Sequence, residues 1–342
     1  MGESLMHSLS IVDVGHGNCA FITSDGKNVV IDAAARTHLL RYLETNGVTE
    51  IDVVVISHSD EDHIGGLINL LSNPGIKVKQ LVINQDSTKG SALWADVRAL
   101  VDGQLYQGKL TVWTGVYAGG QNQAWTNVTD RLALQILSPT LSMGLGGPGA
   151  PLPGGSKTVT SNTASIVIKV VFDGRAVALF TGDMDEIALS DIVRIGIEMD
   201  ARCLVFPHHG GLPGQCDPEK FTQDILKLVN PDIVVFSNGR MRHSNPRKEI
   251  IDAIKKGRPS TYIACTQLSK ACCSSAVASR GYTPKSYSAG VEIDGYCAGS
   301  FDIDLESCLA QEEQISAHRN FVNGLPEAMC QNIEGIIAKS SN

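Results

Sequence analysis

Four side chains able to bind metal or move protons fall within six positions, at His58, Asp60, Asp62 and His63. They follow Val53-Val-Val-Ile56, a short, continuous, β-branched run that suits a strand buried on both faces. Polar groups crowded just past the end of such a strand sit where open α/β sheets place their sites. Imidazole nitrogen together with carboxylate oxygen suits a divalent ion of borderline or hard character. Gly65 and Gly66 remove side chains where the next helix starts close to that ion. Similar groups recur downstream. Thr181-Gly-Asp183 ends one predicted strand, Pro207-His-His-Gly-Gly211 ends another, and His243 lies in a loop rich in arginine.

The elements that must position these residues alternate. Strands are expected within 8–14, 19–23 and 28–32, the last two joined by an Asp25-Gly26 turn. A helix over 36–46 ends at Gly47, and a helix over 64–72 leaves the acidic loop. Strand 80–83, helix 91–101 and strand 110–113 follow. Residues 115–160 break the pattern, and the Gly- and Pro-rich stretch 138–160 is expected to be a flexible insertion without a core. Strands then fall at 166–172 and 176–180, hinged by Asp173-Gly174, and at 202–206, 232–236 and 261–266. Helices at 185–196, 219–229 and up to Lys256 separate them, with Pro246 in the first turn of the last. Residues 291–293 and 301–305 are expected as a hairpin, and 311–319 and 326–339 as helices. The alternation argues an α/β fold, with one domain over 1–270 and a C-terminal extension over 271–342 packed on it.

Composition narrows the function. The chain has 342 residues, of which 43% are hydrophobic, enough for a real core. No apolar run approaches a membrane helix, and the first residues lack the basic start and apolar core of an export signal, so a cytoplasmic protein with no membrane contact is expected. The nine cysteines are odd in number and scattered, which suits reduced thiols. Net charge is −8, against a broad nucleic-acid footprint. Yet residues 240–258 hold seven cations against Glu249 and Asp252. Arg240 and Arg242, beside His243 and a helix N-terminus, would suit a phosphate.

The run from His58 to His63 resembles the His-x-His-x-Asp-His signature of the metallo-β-lactamase superfamily, with Asp60 in place of the second His. Asp13-Val-Gly-His-Gly-Asn-Cys19, Asn162-x-x-Ser165, Gly182-Asp183 and His208-His209-Gly210 are similar to motifs of its branch that includes the soluble hydrolase domain of ComEC-type DNA-uptake proteins. The resemblance implies a four-layer αββα sandwich with a binuclear centre at one edge. It also implies metal ligands at His58, Asp60, Asp62, His63, Asp183 and His208, with Asp183 bridging two ions of zinc or manganese. Asp60 adds hard oxygen and leans the choice toward manganese. Adjacent residues on an extended chain point opposite ways, so of the two histidines His208 is taken as ligand and His209 as proton carrier. Asp62, His209 and His243 are the expected catalytic residues. Arg240, Arg242, Asn162 and Ser165 are the expected substrate contacts.

These features predict a metal-dependent hydrolase, first of all a phosphodiesterase or nuclease acting on a nucleic acid or nucleotide through a metal-activated hydroxide. Hydrolysis of a small ester, lactone or thioester is the alternative. A third reading is a degenerate metal-binding protein with an auxiliary role. The sequence names no protein partner.

Overall fold

In a computed structural model the chain folds around two facing sheets; residues 7–34, 36–119, 125–152, 157–240, 242–273, 284 and 286–331 are described. The first half supplies β1 (Ser8–Ile11), β2 (Cys19–Ser24), β3 (Lys27–Ala33), α1 (His38–Thr45), β4 (Glu50–Ile56), α2 (Glu61–Ile64) and α3 (Leu67–Ser72). It continues through β5 (Lys77–Ile83), α4 (Ala92–Tyr106) and β6 (Thr111–Trp113). The second half runs β7 (Leu132–Ser138), α5 (Leu141–Gly146), β8 (Val167–Phe172), β9 (Arg175–Phe180), α6 (Glu186–Arg194), β10 (Cys203–Val205), α7 (Pro218–Val229), β11 (Ile233–Phe236), α8 (Lys248–Gly257) and β12 (Tyr262–Cys265). It closes with β13 (Phe301–Asp304), β14 (Leu309–Ala310) and α9 (Glu312–Asn323).

Among the described residues one sheet has the order β14-β13-β1-β2-β3-β4-β5-β6 and the other β12-β11-β10-β9-β8-β7. The pleat explains why continuous apolar runs work here. Val53 and Val55 of β4 point into the core between the sheets, while Val54 and Ile56 pack under the outer helices. Leu39 and Leu43 of α1, Leu67 and Leu70 of α3 and Trp94 of α4 cover the outer face of the first sheet. Leu189 of α6, Phe221 and Ile225 of α7, Ile250 and Ile254 of α8 and Phe321 of α9 cover the second. The result is the four-layer αββα sandwich.

Parallel pairing of β3, β4 and β5 in one sheet, and of β9, β10 and β11 in the other, sends several strand ends in common directions. The Ile166 amide donates to the Ser57 carbonyl at 2.9 Å, tying the end of β4 to the start of the β8 region across the sandwich. Asp32, Ser57 and Asp183 lie at these ends.

Several expectations need correction. Residues 115–160 contain β7, whose Leu132 and Leu134 reach the core. The alternation there was obscured by the Gly- and Pro-rich stretch that follows. That stretch holds α5, a bridge between Pro151 and Thr158, and Met143 and Val159, which form a small apolar cluster with Ala164 beyond it; residues 153–156 lie outside the described residues. Residues 289–293 form a 3-10 turn rather than a strand, and β13 pairs with β1 instead. Pro246 precedes Arg247, the N-cap of α8, so it stands outside the helix. The helix expected over 326–339 is absent from 326–331, and its remainder lies outside the described residues.

β13 covers the edge of β1, and Phe301, fully buried, stacks on Tyr262 with ring centroids 6.0 Å apart. Phe301→Ala is expected to cost about 3–5 kcal/mol of stability through the cavity it leaves, measured by urea unfolding followed by circular dichroism.

Candidate metal centre

Asp183 stands at the end of β9, on a turn that Gly182 makes possible with φ +52°. A Cβ on Gly182 would lie 3.0 Å from Ser57 Cβ, so the turn needs glycine for space as well as conformation. The Asp183 amide donates to Ser165 Oγ at 3.3 Å. Ser165 is fully buried and holds this turn, which corrects its expected role as a substrate contact.

Around Asp183 the imidazoles converge. His63 Nε2 is 3.1 Å from Asp183 Oδ1, and His208 Nδ1 is 2.8 Å from Oδ2 without being aligned for a hydrogen bond. His209 Nε2 lies 3.7 Å from Asp183 Oδ1 and 3.4 Å from Asp62 Oδ2. His16 Nε2 lies 3.2 Å from the same Asp62 oxygen. Ligand atoms of Asp62, His63, Asp183 and His209 all fall within 4.8 Å of one another, and among the described residues this is the group of acidic, His or Cys side chains that could hold a metal ion.

The hydrogen bonds behind the imidazoles fix their tautomers. His209 Nδ1–H donates to the Ser237 carbonyl at 2.7 Å, so its Nε2 carries a lone pair. His58 Nδ1–H donates to Ser57 Oγ at 3.1 Å, and Ser57 passes its own proton to Asp32 Oδ2 at 2.9 Å. His63 Nδ1–H donates to the same Asp32 oxygen at 2.8 Å. These are the outer partners that orient metal-binding histidines. They leave His58 Nε2 and His209 Nε2 buried, aimed at carboxylates, and without a hydrogen bond. Lone pairs facing carboxylates repel unless a cation stands between them, so this donor set fits a divalent ion.

Charge follows the same logic. Burial pushes His58 down to about 4, helped by neighbouring His63, so it is neutral and ready to donate its lone pair. Burial alone would lower His63, but Asp183 and Asp32 on either side lift it well above the usual range. Without metal, His63 is therefore an imidazolium whose Nε2 proton sits where an ion would. Burial would raise Asp62 and Asp183, but a hydrogen bond from His16 to the first, and the nearby His63 charge acting on both, hold both below the ordinary carboxylate range.

The structure redistributes the expected roles. His208 and His209 both face Asp183 because neither is extended: both are left-handed, with φ of 54° and 55°. The alternation expected of an extended chain does not apply, and it is His209 that joins the close group. His58 Nε2 stands farther off, 3.9 Å from Asp60 and 3.8 Å from Asp183. The Asp60 carboxylate is ion-paired with Lys89 at 2.5 Å, a partner that the sequence reading missed. Arg240 is turned inward and 5% exposed, donating to the carbonyls of Leu268 and Cys273. It holds the 268–273 loop, which corrects its expected role at the substrate. Gly66 serves the fold more than the metal, since a Cβ there would meet the Ala33 carbonyl at 3.0 Å. His16 reaches the Asp62 carboxylate rather than joining the close group, and its place in the Gly15-His16-Gly17 turn is the signal for it in the sequence.

Two clefts open onto this group. One, about 780 Å3, is lined by His16, Asp62, Arg36 and Arg242, with Arg242 exposed and 3.4 Å from Glu61. His243, also exposed, lies against His16 with ring centroids 4.8 Å apart and the planes tilted. The other, about 510 Å3, is lined by Asp60, Lys89, Asn162 and Asp183. Asn162 thus stands at the second cleft and Arg242 on the wall of the first, with His243 beside His16. A divalent ion held by Asp62, His63, Asp183 and His209 would bring the pKa of a bound water to about 7 and neutralise charge on an attacked group.

Two predictions follow from the outer hydrogen bonds. Asp32→Asn is expected to weaken divalent-metal binding by roughly 10–100-fold, because His63 loses the acceptor that orients it, measured by calorimetric titration of chelator-stripped protein. Ion binding near neutral pH is expected to release the His63 proton, read as a binding enthalpy that changes with the ionisation enthalpy of the buffer.

Comparison with known proteins gives the same picture. A family model described as metallo-beta-lactamase superfamily matches residues 12–237. The chain is 23% identical over 254 residues to competence protein ComA of Neisseria gonorrhoeae, covering 72% of this chain and 29% of that protein. It is 24% identical over 272 residues to ComE operon protein 3 of Bacillus subtilis strain 168, covering 72% of this chain and 30% of that protein. The chain thus spans less than a third of the length of these relatives. Among solved structures, Igni18, a metallo hydrolase from Ignicoccus hospitalis, is 18% identical with a TM-score of 0.44, covering 75% of this chain and 94% of its own. With the family model covering the site from the His16 turn to the end of β11, the chain belongs to the metallo-β-lactamase superfamily.

Proposed function

We propose that this metal-dependent hydrolase cleaves phosphodiesters, with a nucleic acid or nucleotide as substrate. The observation that carries the reading is the close group of Asp62, His63, Asp183 and His209 set between two clefts whose walls bear Arg36, Arg242 and Lys89. A phosphodiester brings negative charge to both non-bridging oxygens, and cations on each side of the reacting centre answer it. A neutral ester or lactone has no such need. Zinc or manganese would occupy the centre, held by the side chains named above.

In this reading His16 and His209 fix the Asp62 carboxylate, and His58 and His63 stay oriented through Ser57 and Asp32. His243, exposed and beside His16 of the larger cleft, gives a proton to the leaving oxygen in this reading. Arg242 engages a substrate phosphate, its pair with Glu61 being exposed and weak. One of the relatives is named a competence protein, which makes DNA the first polymer to try. No helix among the described residues is long and apolar enough to cross a membrane.

Protein reloaded with manganese or zinc is expected to hydrolyse bis(p-nitrophenyl) phosphate. Asp62→Ala or Asp183→Ala should lower the rate by about 100-fold or more, and Arg242→Ala should raise KM more than it lowers kcat. Turnover of a thioester or lactone, with none of the phosphodiester by metal-loaded protein, would reverse the assignment.

A further inference from the structure

The two ends of the metal group are built differently. At one end, Asp62, His63, Asp183 and His209 bring their ligand atoms within 4.8 Å of one another. At the other, His58 Nε2 is buried and unpartnered, facing Asp60 Oδ1 at 3.9 Å and Asp183 Oδ2 at 3.8 Å. Asp60 Oδ1, the oxygen nearer to His58, is already taken by the Lys89 ammonium at 2.5 Å.

Lys89 is not a stray surface cation. Its own amide donates to Asp86 Oδ1 at 3.1 Å, as do the amide and hydroxyl of Thr88 at 3.0 and 2.8 Å. The other Asp86 oxygen accepts from Ser59 at 2.5 Å and from Ser161 at 2.6 Å. Asp86 therefore clamps the turn that carries Lys89 to the residue before Asp60 and to the residue before Asn162. Asp86 is 7% exposed, and the Trp94 indole closes the turn by donating to the Asp86 carbonyl at 3.0 Å. The ammonium is delivered by a fixed loop onto the wall of the smaller cleft.

We propose that Lys89 closes the Asp60 end of the centre to a second ion, so that the protein holds one divalent ion tightly and Lys89 supplies the positive charge at the other end. This replaces the two-ion expectation drawn from the family resemblance and rests on the hydrolase reading above. An ammonium on Asp60 both consumes the oxygen that a second ion would need and repels a dication at a few ångströms. Lys89 also stands on the same cleft wall as Asn162, where a phosphoryl oxygen of a substrate would meet its charge.

The test is metal counting. Chelator-stripped protein titrated with manganese, by calorimetry and elemental analysis, is expected to take roughly one ion per chain at micromolar free metal. Lys89→Met keeps the stem and loses the charge. It is expected to take close to two ions, with the affinity for the second raised roughly tenfold or more. Lys89→Arg restores the wild-type count. Manganese electron paramagnetic resonance should show isolated ions in the wild type and spin-coupled pairs in Lys89→Met. Two ions of similar affinity in the wild type, or one ion in both proteins, would overturn the proposal while leaving a metallohydrolase intact. No ion in the wild type would overturn the proposal together with the hydrolase reading.

Discussion

A carboxylate buried among imidazoles has to be answered by positive charge, and the centre of this protein is arranged around that requirement at Asp183. Its side chain is 3% exposed, with His63, His208 and His209 within 3.7 Å of its oxygens. Removing such a group from water is costly unless a counter-charge is held close. In the metal-free chain the His63 imidazolium supplies it. His63 in turn leans on Asp32, and Asp32 is held by the amide and hydroxyl of Ser57 at 2.7 and 2.9 Å. The sequence Asp32–His63–Asp183 is therefore an alternation of charge running from the end of β3 to the end of β9, across both sheets.

Around that chain of charges the backbone departs from regular structure at three places. Asp32, His208 and His209 are all left-handed residues that are not glycine. Such conformations cost of order 1–3 kcal/mol each and persist only where the surroundings demand them. Here they aim side chains into one small volume. The Gly182 turn and the Gly210 corner, where a Cβ would lie 2.7 Å from the Phe236 ring, let the two loops approach closely enough to meet.

Much of this was legible in the residues. The β-branched run of β4 followed by His58, Asp60, Asp62 and His63 marked both the strand and the site, because a strand end and a ligand cluster are local in sequence. Thr181-Gly-Asp183 and His208-His209 were legible for the same reason. The departures come from what is not local. Lys89 lies 29 residues from Asp60 and reaches it only through the Asp86 turn. Arg240 looked like a phosphate ligand by its neighbours, yet the carbonyls that claim it belong to a loop 28–33 residues on. The choice between His208 and His209 rested on an extended backbone that the left-handed pair does not have. β7 carried a readable alternation, masked by the glycines and prolines beside it.

The pairing of β1 with β13 has a further consequence for how the chain reaches this state. Ser10 Oγ donates to Asp302 at 2.6 Å across 292 residues of sequence, and Asp13 just beyond accepts from Ser288 and Gln267 and from the Gly290 amide. The turn that carries His16 is thus braced by segments more than 250 residues further along the chain. During synthesis β1 emerges with one edge unpaired until β13 arrives, and an open edge is a template for association with other chains. In the interval between making β1 and making β13 that edge is open, and the His16 turn gains its brace only as the interval ends.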